Sequence, residues 1–406
     1  MSRFLFLFLI SGILWASPED FARPPELLPN IAFWTRVYGE WTTKQIAIVD
    51  TDDLSMVYRV IDLPNSKPDK AIKKAKDEVA EALQILDERN PKSEQEVEGL
   101  AREIYLSLKE VKRPDKYQRG DYLRAQNGLK DRFEMGYRLS GAHDKEIKAR
   151  LKKHGLPEEL IALVFVESLF YPTSRSHVGA TGLWQFMRGT AKEFMRVNRL
   201  VDERLDPVIS TDAAIAYLKT AKARLGEWPL VITSYNYGRA GIARAVDRVG
   251  SKNIEDILKN YDSSRFGFAA RNYYAEFLAA LDVYRKAPVL FAHITPIEHW
   301  DYEVIDLKHP VSIRDLLSTQ LVEKEWFMKY NPALSKEVRL GKTVLPVGFT
   351  LRVPPGKKDY FSRLNMKSNK PSKHGLRAVN AHFTELPAPI YKTVEEASKD
   401  SPVINQ

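Results

Sequence analysis

From about residue 120 to residue 290 one helical pattern follows another with clear punctuation, which commits the middle of this chain to helices packed on helices. Thr190 and Glu193 form a T-x-x-E capping box before "FMRV", Ser210 and Asp212 open "AAIAYLKTAKARL", and Gly226 and Gly250 close helices. The same rules place a helix on "ELIALVFVESLFYP", Glu159 to Pro172. Gly155 closes the basic segment before it, and Pro157 suits a first helical position. Glu158 and Glu159 fall in the first turn, where the helix dipole favours negative charge, and Pro172 stops the helix.

Glu167 is the unusual residue of that helix. Leu160, Leu163, Val164 and Glu167 follow the i, i+3, i+4, i+7 rule, so a carboxylate stands in line with an apolar stripe. Desolvation there raises its pKa, as a general acid working near neutral pH requires. A glutamate at a helix end that turns to water or caps a neighbour fits the stretch equally well, and the surroundings must decide. Three later stretches differ from plain core. "GATGLWQF" (179–186) joins two glycines to Trp184 and Gln185, suiting a backbone that approaches a ligand closely and offers an amide and an aromatic to a sugar. "SYNYG" (234–238) puts Tyr235 and Asn236 at the end of a helix begun at Pro229, and "RNYYAEFLAA" (271–280) opens another with two tyrosines. Taken singly, each is also what a core aromatic or a helix cap looks like.

The rest of the chain sets the context. With 406 residues, 44% of them hydrophobic, it has material for two or three cores. Residues 1–16 read as a signal peptide: Arg3 precedes "FLFLFLISGILWA", short for a membrane span and right for a signal core, with Ala16 at the cleavage edge. Leu14 is larger than the small residue usual at that place, so an uncleaved anchor is the alternative, and membrane contact is expected only in that case. There is no cysteine, which excludes a lipid-modified N-terminal Cys, disulfides and a Cys-based metal site. Export without disulfides suggests the periplasm or envelope of a Gram-negative-type bacterium. A net charge of +9 makes a polyanion the natural partner. An exported chain with no nucleic-acid motif argues against nucleic acid. Cell-wall polymer with carboxylates on its peptide stems fits better, and a solvated basic surface without a specific partner fits too.

Residues 17–119 are expected to form an N-terminal extension. In it "QIAIV" and "MVYRVI" make a hairpin across "DTDDLS", and two polar helical patterns turn at Asn90-Pro91. Residues 296–356 change character, with "YEVIDL" and "TLRVPP" as strands around helical segments, which reads as a small α+β module. Residues 357–406, rich in Lys, Ser, Asn and Pro, read as a largely disordered basic tail. The expected class is therefore mainly α, with small additions at either end.

The order and spacing of the middle motifs resemble the soluble-lytic-transglycosylase catalytic domain, the lysozyme-like helical domain of peptidoglycan lytic transglycosylases, and within it the membrane-bound lytic murein transglycosylase D branch. The Glu-Ser pair stands as Glu167-Ser168, the Gly-Leu-x-Gln motif as Gly182-Leu183-Trp184-Gln185, the Tyr-Asn motif as Tyr235-Asn236, and the late tyrosine as Tyr273. The likeness extends to "HGLPEELIALVFVES", "DERLDP", "DAAIAYL" and "GEWPL" and covers roughly 120–290. Many relatives have Met at Trp184 and Ala at Ser234. The branch commonly carries C-terminal LysM modules, so 296–356 is expected to be a divergent LysM-like module or a cap, its Gly-Asp-Thr-Leu turn replaced by "KHPVSI".

The resemblance implies cleavage of the β-1,4 bond between N-acetylmuramic acid and N-acetylglucosamine without water, leaving a 1,6-anhydromuramic end, with no cofactor and no metal. Glu167 would serve as acid and then base. Ser168 would hold the sugar or the carboxylate, Gln185 would contact glycan, and Tyr235 and Asn236 would orient the N-acetyl group. Tyr273 would hydrogen-bond Glu167, and Gly182 and Trp184 would support the site. No second carboxylate stands out in these motifs; Asp202, Glu203 and Asp206 are the nearest acids, and a structural turn accounts for Asp206. A hydrolytic muramidase on the same fold and a non-catalytic wall-binding protein are the alternatives.

Overall fold

The computed structural model describes residues 21–110, 113–318 and 320–366. The signal-peptide reading of 1–16 and the tail reading from 367 onward lie outside them. In the N-terminal part α1 (Leu28–Gly39) is followed by β1 (Gln45–Asp50), β2 (Val57–Asp62), α2 (Pro68–Arg89), α3 (Gly99–Glu110) and β3 (Leu123–Asn127). The middle is helical: α4 (Lys130–Ser140), α5 (Asp144–Lys153), α6 (Ala162–Ser168), α7 (Arg188–Ala191), α8 (Pro207–Leu225), α9 (Trp228–Tyr237), α10 (Arg239–Val249), α11 (Ile254–Asn260) and α12 (Phe268–Leu290). The last part holds β4 (Glu303–Asp306), β5 (Val311–Ser312), α13 (Ile313–Ser318), α14 (Lys324–Tyr330), α15 (Lys336–Arg339), β6 (Val344–Leu345), β7 (Thr350–Val353) and α16 (Lys358–Met366). The chain is mainly α. None of the described helices is long and apolar enough to cross a membrane.

Strand β1 explains how the first part attaches to the second. It lies between β2 and β3 in an antiparallel sheet, paired Gln45↔Asp62 on one side and Asp50↔Leu123 on the other. Successive side chains point to opposite faces. Ile46 and Ile48 enter a core with Val79, Leu83, Ile104 and Leu108 of α2 and α3, whereas Ala47 and Val49 enter the main helical core. Burial on both faces is why "QIAIV" reads as an unbroken apolar run.

The packing does not follow the expected boundary between 119 and 120. Ile31, Phe33, Trp34, Val37 and Tyr38 give α1 an apolar stripe that needs a partner, and they bury it in the main core with α12. Arg23 adds an ion pair to Asp282 at 2.6 Å. Two local signals also resolve differently. Thr190 lies inside α7 and caps nothing, and α8 begins at Pro207, with Asp206 capping the N–H groups of Val208 and Ile209 at 3.0 Å.

In the last part β4 pairs antiparallel with β7 and β5 with β6, around three short helices and a third core. This module runs past residue 356: α16 buries Phe361 in that core, so the segment from 357 does not begin as a tail. It also grips the middle of the chain. Val201 is buried in the third core, Asp202 N donates to Ala333 O at 2.8 Å, and Ser335 N donates to Leu200 O at 2.9 Å. Arg352 reaches across to Asp206 through two hydrogen bonds, its Nη2 to Oδ1 at 2.6 Å and its Nη1 to Oδ2. Both residues are buried. Burial alone would raise the Asp206 pKa, but the Arg352 charge and hydrogen bonds, with the capped N–H groups, hold it below the usual carboxylate range.

Candidate active site

Helix α6 is shorter than its apolar run. Glu158–Ile161 forms a 3-10 turn, the α-helix starts at Ala162, and it stops at Ser168, short of Pro172. The stop comes from Leu169 and Phe170, both left-handed at φ 48° and 60°, a costly conformation for residues with a Cβ. Both side chains are buried, and Phe170 N closes the helix end on Val164 O at 3.4 Å. Gly136 lets α4 approach this turn, since a Cβ there would lie 2.4 Å from Leu169 O. Glu167 is thereby fixed on the last helical turn, half-buried beside the fully buried Leu160, Leu163 and Val164.

Opposite it, α12 presents Tyr273, buried, whose hydroxyl donates to Glu167 Oε1. Burial pushes the Glu167 pKa up to about 7, against the opposing effect of this hydrogen bond. Burial and the Glu167 charge raise Tyr273 and Tyr235 well above the ordinary phenol value, so both stay protonated donors.

The other motif residues divide into buried ones that tie elements together and half-buried ones. Trp184, expected at a sugar, is fully buried, with its indole N–H on Thr211 Oγ1 at 2.9 Å. Its carbonyl receives the Tyr235 hydroxyl at 2.9 Å, which ties α9 to the motif loop. Ser168, expected at the sugar or the carboxylate, instead donates to Val164 O and to Leu183 O at 2.8 Å, joining α6 to that loop. Gly182 sits at φ 85° with its missing Cβ position 1.8 Å from Arg204 O, so no other residue fits. Gln185 is half-buried at φ 46° and donates to Ser174 O and Gly182 O, leaving its amide oxygen for a ligand. Asn236, half-buried on the last turn of α9, makes no side-chain hydrogen bond among the described residues. Ser234 is buried, its hydroxyl donating to Val231 O at 2.6 Å.

One acid escaped the sequence reading. Glu276 lies one turn beyond Tyr273 on α12, half-buried, and its pKa is pushed up to about 8 by burial and then by the charge on Glu167, with Arg124 opposing. Its i+3 spacing from the motif tyrosine was the available signal. The nearer acids are structural: Asp202 pairs with Arg204 and Glu203 with Arg196, while Asp206 caps α8. Among the described residues no group of three or more His, Cys, Asp or Glu is placed to hold a metal ion. A groove of about 710 Å³ between α5 and α8, lined by Arg150, Lys153 and Lys219 among others, contains none of the site residues.

Residues 144–258 match the Transglycosylase SLT domain. The chain is similar to membrane-bound lytic murein transglycosylase D of Escherichia coli K12, 33% identical over 102 residues, 25% of this chain and 23% of that protein. A relative from Alteromonas sp. (strain M-1), named for a proposed role in tributyltin chloride resistance, is 32% identical over 108 residues, 26% of this chain and 52% of its own length. The aligned region thus spans about a quarter of the first relative and half of the second. A lytic transglycosylase Slt from Pseudomonas aeruginosa, solved as an inactive mutant, aligns over 40% of this chain and 26% of its own at a TM-score of 0.31 and 23% identity.

Proposed function

We propose that the chain is a lytic transglycosylase of the cell envelope that cleaves the β-1,4 bond between N-acetylmuramic acid and N-acetylglucosamine in peptidoglycan. The observation that carries this is Glu167, an acid with its pKa pushed up to about 7 and a tyrosine donor on one oxygen. Protonated, it gives its proton to the glycosidic oxygen as the bond breaks. As the resulting carboxylate it takes the proton from the sugar's own C6 hydroxyl, whose oxygen closes on C1 and leaves a 1,6-anhydro end. The substrate's N-acetyl group stabilises the cationic carbon, and the unengaged amide of Asn236 orients that group. Tyr235 and Ser168 act by holding the loop against α6 and α9.

Glu276 is the one feature that favours a hydrolytic muramidase, in which a second carboxylate activates water. With its pKa pushed up to about 8 it is mostly neutral at pH 7 and a poor base there. Digestion of purified peptidoglycan in heavy-oxygen water separates the readings. Anhydro ends free of the label are expected, and labelled reducing ends would show a hydrolase.

A further inference from the structure

Arg124 occupies a position that the glycan chemistry above leaves unexplained. It lies on β3 opposite Val49, so the register sends it to the sheet face turned toward the main core. Its guanidinium lies 3.8 Å over the ring of Phe268, at the start of α12. Phe268, Asn272 and Glu276 recur every fourth residue, so they line one face of α12, and Tyr273 stands beside them. Asn272 is locked in that wall by Asn30 Nδ2 at 2.8 Å and by its own bond to Phe268 O at 2.9 Å. Arg124 therefore belongs to the same wall as the tyrosine that holds Glu167.

A guanidinium carries five donors and stays charged. Among the described residues Arg124 donates to no acceptor and forms no ion pair, and its Nε is buried without a partner. Glu276 acts on it only electrostatically. Stacking on an aromatic ring fixes the guanidinium plane while leaving its edge for a planar anion.

We propose that Arg124, seated on Phe268, is a substrate-binding residue that takes a carboxylate of the glycan, and so makes the enzyme prefer carboxylate-bearing strands. This rests on the peptidoglycan reading given above. Two sources offer that group: the peptide stem, and the lactyl group of muramic acid once the stem is removed.

The test uses the full chain and purified glycan fragments in three forms: peptide-bearing, peptide-bearing with carboxylates converted to methylamides, and stripped of peptide so that the lactyl carboxylate is free. Amidation is expected to lower the kcat/KM for anhydro-end formation by about tenfold in the wild type, the worth of one charge-assisted contact. Arg124→Gln should abolish that preference, and Arg124→Lys should keep part of it. Dependence on Arg124 that appears on stripped strands assigns the lactyl group, and dependence confined to peptide-bearing strands assigns the stem; both support the proposal. An unchanged preference in Arg124→Gln overturns it. Binding of the three forms to Glu167→Gln chains, with Arg124 in place, makes the same comparison without a variant at 124, and equal binding of peptide-bearing, amidated and stripped strands also overturns it. A wild-type chain that makes no anhydro ends defeats the glycan-cleavage reading, whereas one that makes them equally from peptide-bearing, amidated and stripped strands defeats the Arg124 subsite alone.

Discussion

At the scale of single residues the site is a balance between burial and hydrogen bonding on Glu167. Burial raises its pKa to about 7 from 4.5, so the native state binds a proton that the unfolded chain releases. The sign follows from linkage: the protonated site is at its most favourable below about 4.5, and stability falls as pH rises through about 7. Glu167→Gln is therefore expected to raise the melting temperature by a few degrees at pH 8 and to leave it unchanged at pH 4. Turnover should meanwhile fall by about a thousandfold. A melting curve that drops at both pH values would make Glu167 a structural residue. Tyr273→Phe removes the donor that opposes burial, so the alkaline limb of the kcat profile should move upward; a downward move would contradict the assigned hydrogen bond. The helical spacing in the sequence placed Glu167 on its stripe, and the motif order supplied Tyr273. Glu276 was overlooked because an acid inside "YYAEFLAA" looks like a solvated helix position until the fold turns that face toward Glu167.

At the scale of elements the site depends on turns that no propensity predicts. A helix running to Pro172 would carry Glu167 more than a turn before its end. The left-handed pair Leu169–Phe170 ends it early, and only tertiary burial of those two side chains makes that conformation worthwhile. Local reading could not see this, whereas Gly226 and Gly250 were legible because a glycine signals its own positive φ. The motif loop depends on Gly182 in the same way. Gly182→Ala would drive a Cβ against the Arg204 carbonyl at a backbone angle unfavourable to alanine. It should lower the unfolding free energy by about 2 kcal/mol or more, read from denaturant midpoints, and reduce turnover because Trp184 and Gln185 follow directly. A variant as stable and active as wild type would show that the loop tolerates movement.

At the scale of the whole molecule the parts are less separable than composition suggested. The change in residue usage near 296 is visible in sequence, but the stripe of α1 and the two faces of β1 reveal their partners only in three dimensions. The same holds for Arg352. Breaking its buried pair by Arg352→Met leaves Asp206 uncompensated and should cost about 3–5 kcal/mol. Asp206 is depressed, so the pair's contribution is present above pH 3.8 and is lost as pH falls through the lower native value. The difference in melting temperature between wild type and variant should accordingly shrink in acid. Removing the chain after Thr295 should give an insoluble or inactive product even on short glycans; a soluble, active product would show the last part to be a detachable module.

The Asp206–Arg352 bond also has a direction in time. Its partners are 146 residues apart, so a ribosome adding about 5–20 residues each second makes the acid roughly 7–30 s before the base. By the time Arg352 is added, every site residue from Glu167 to Glu276 has been made, while Asp206 has until then been an anion without its counterion, and the last lock on the fold is turned only as the last part emerges.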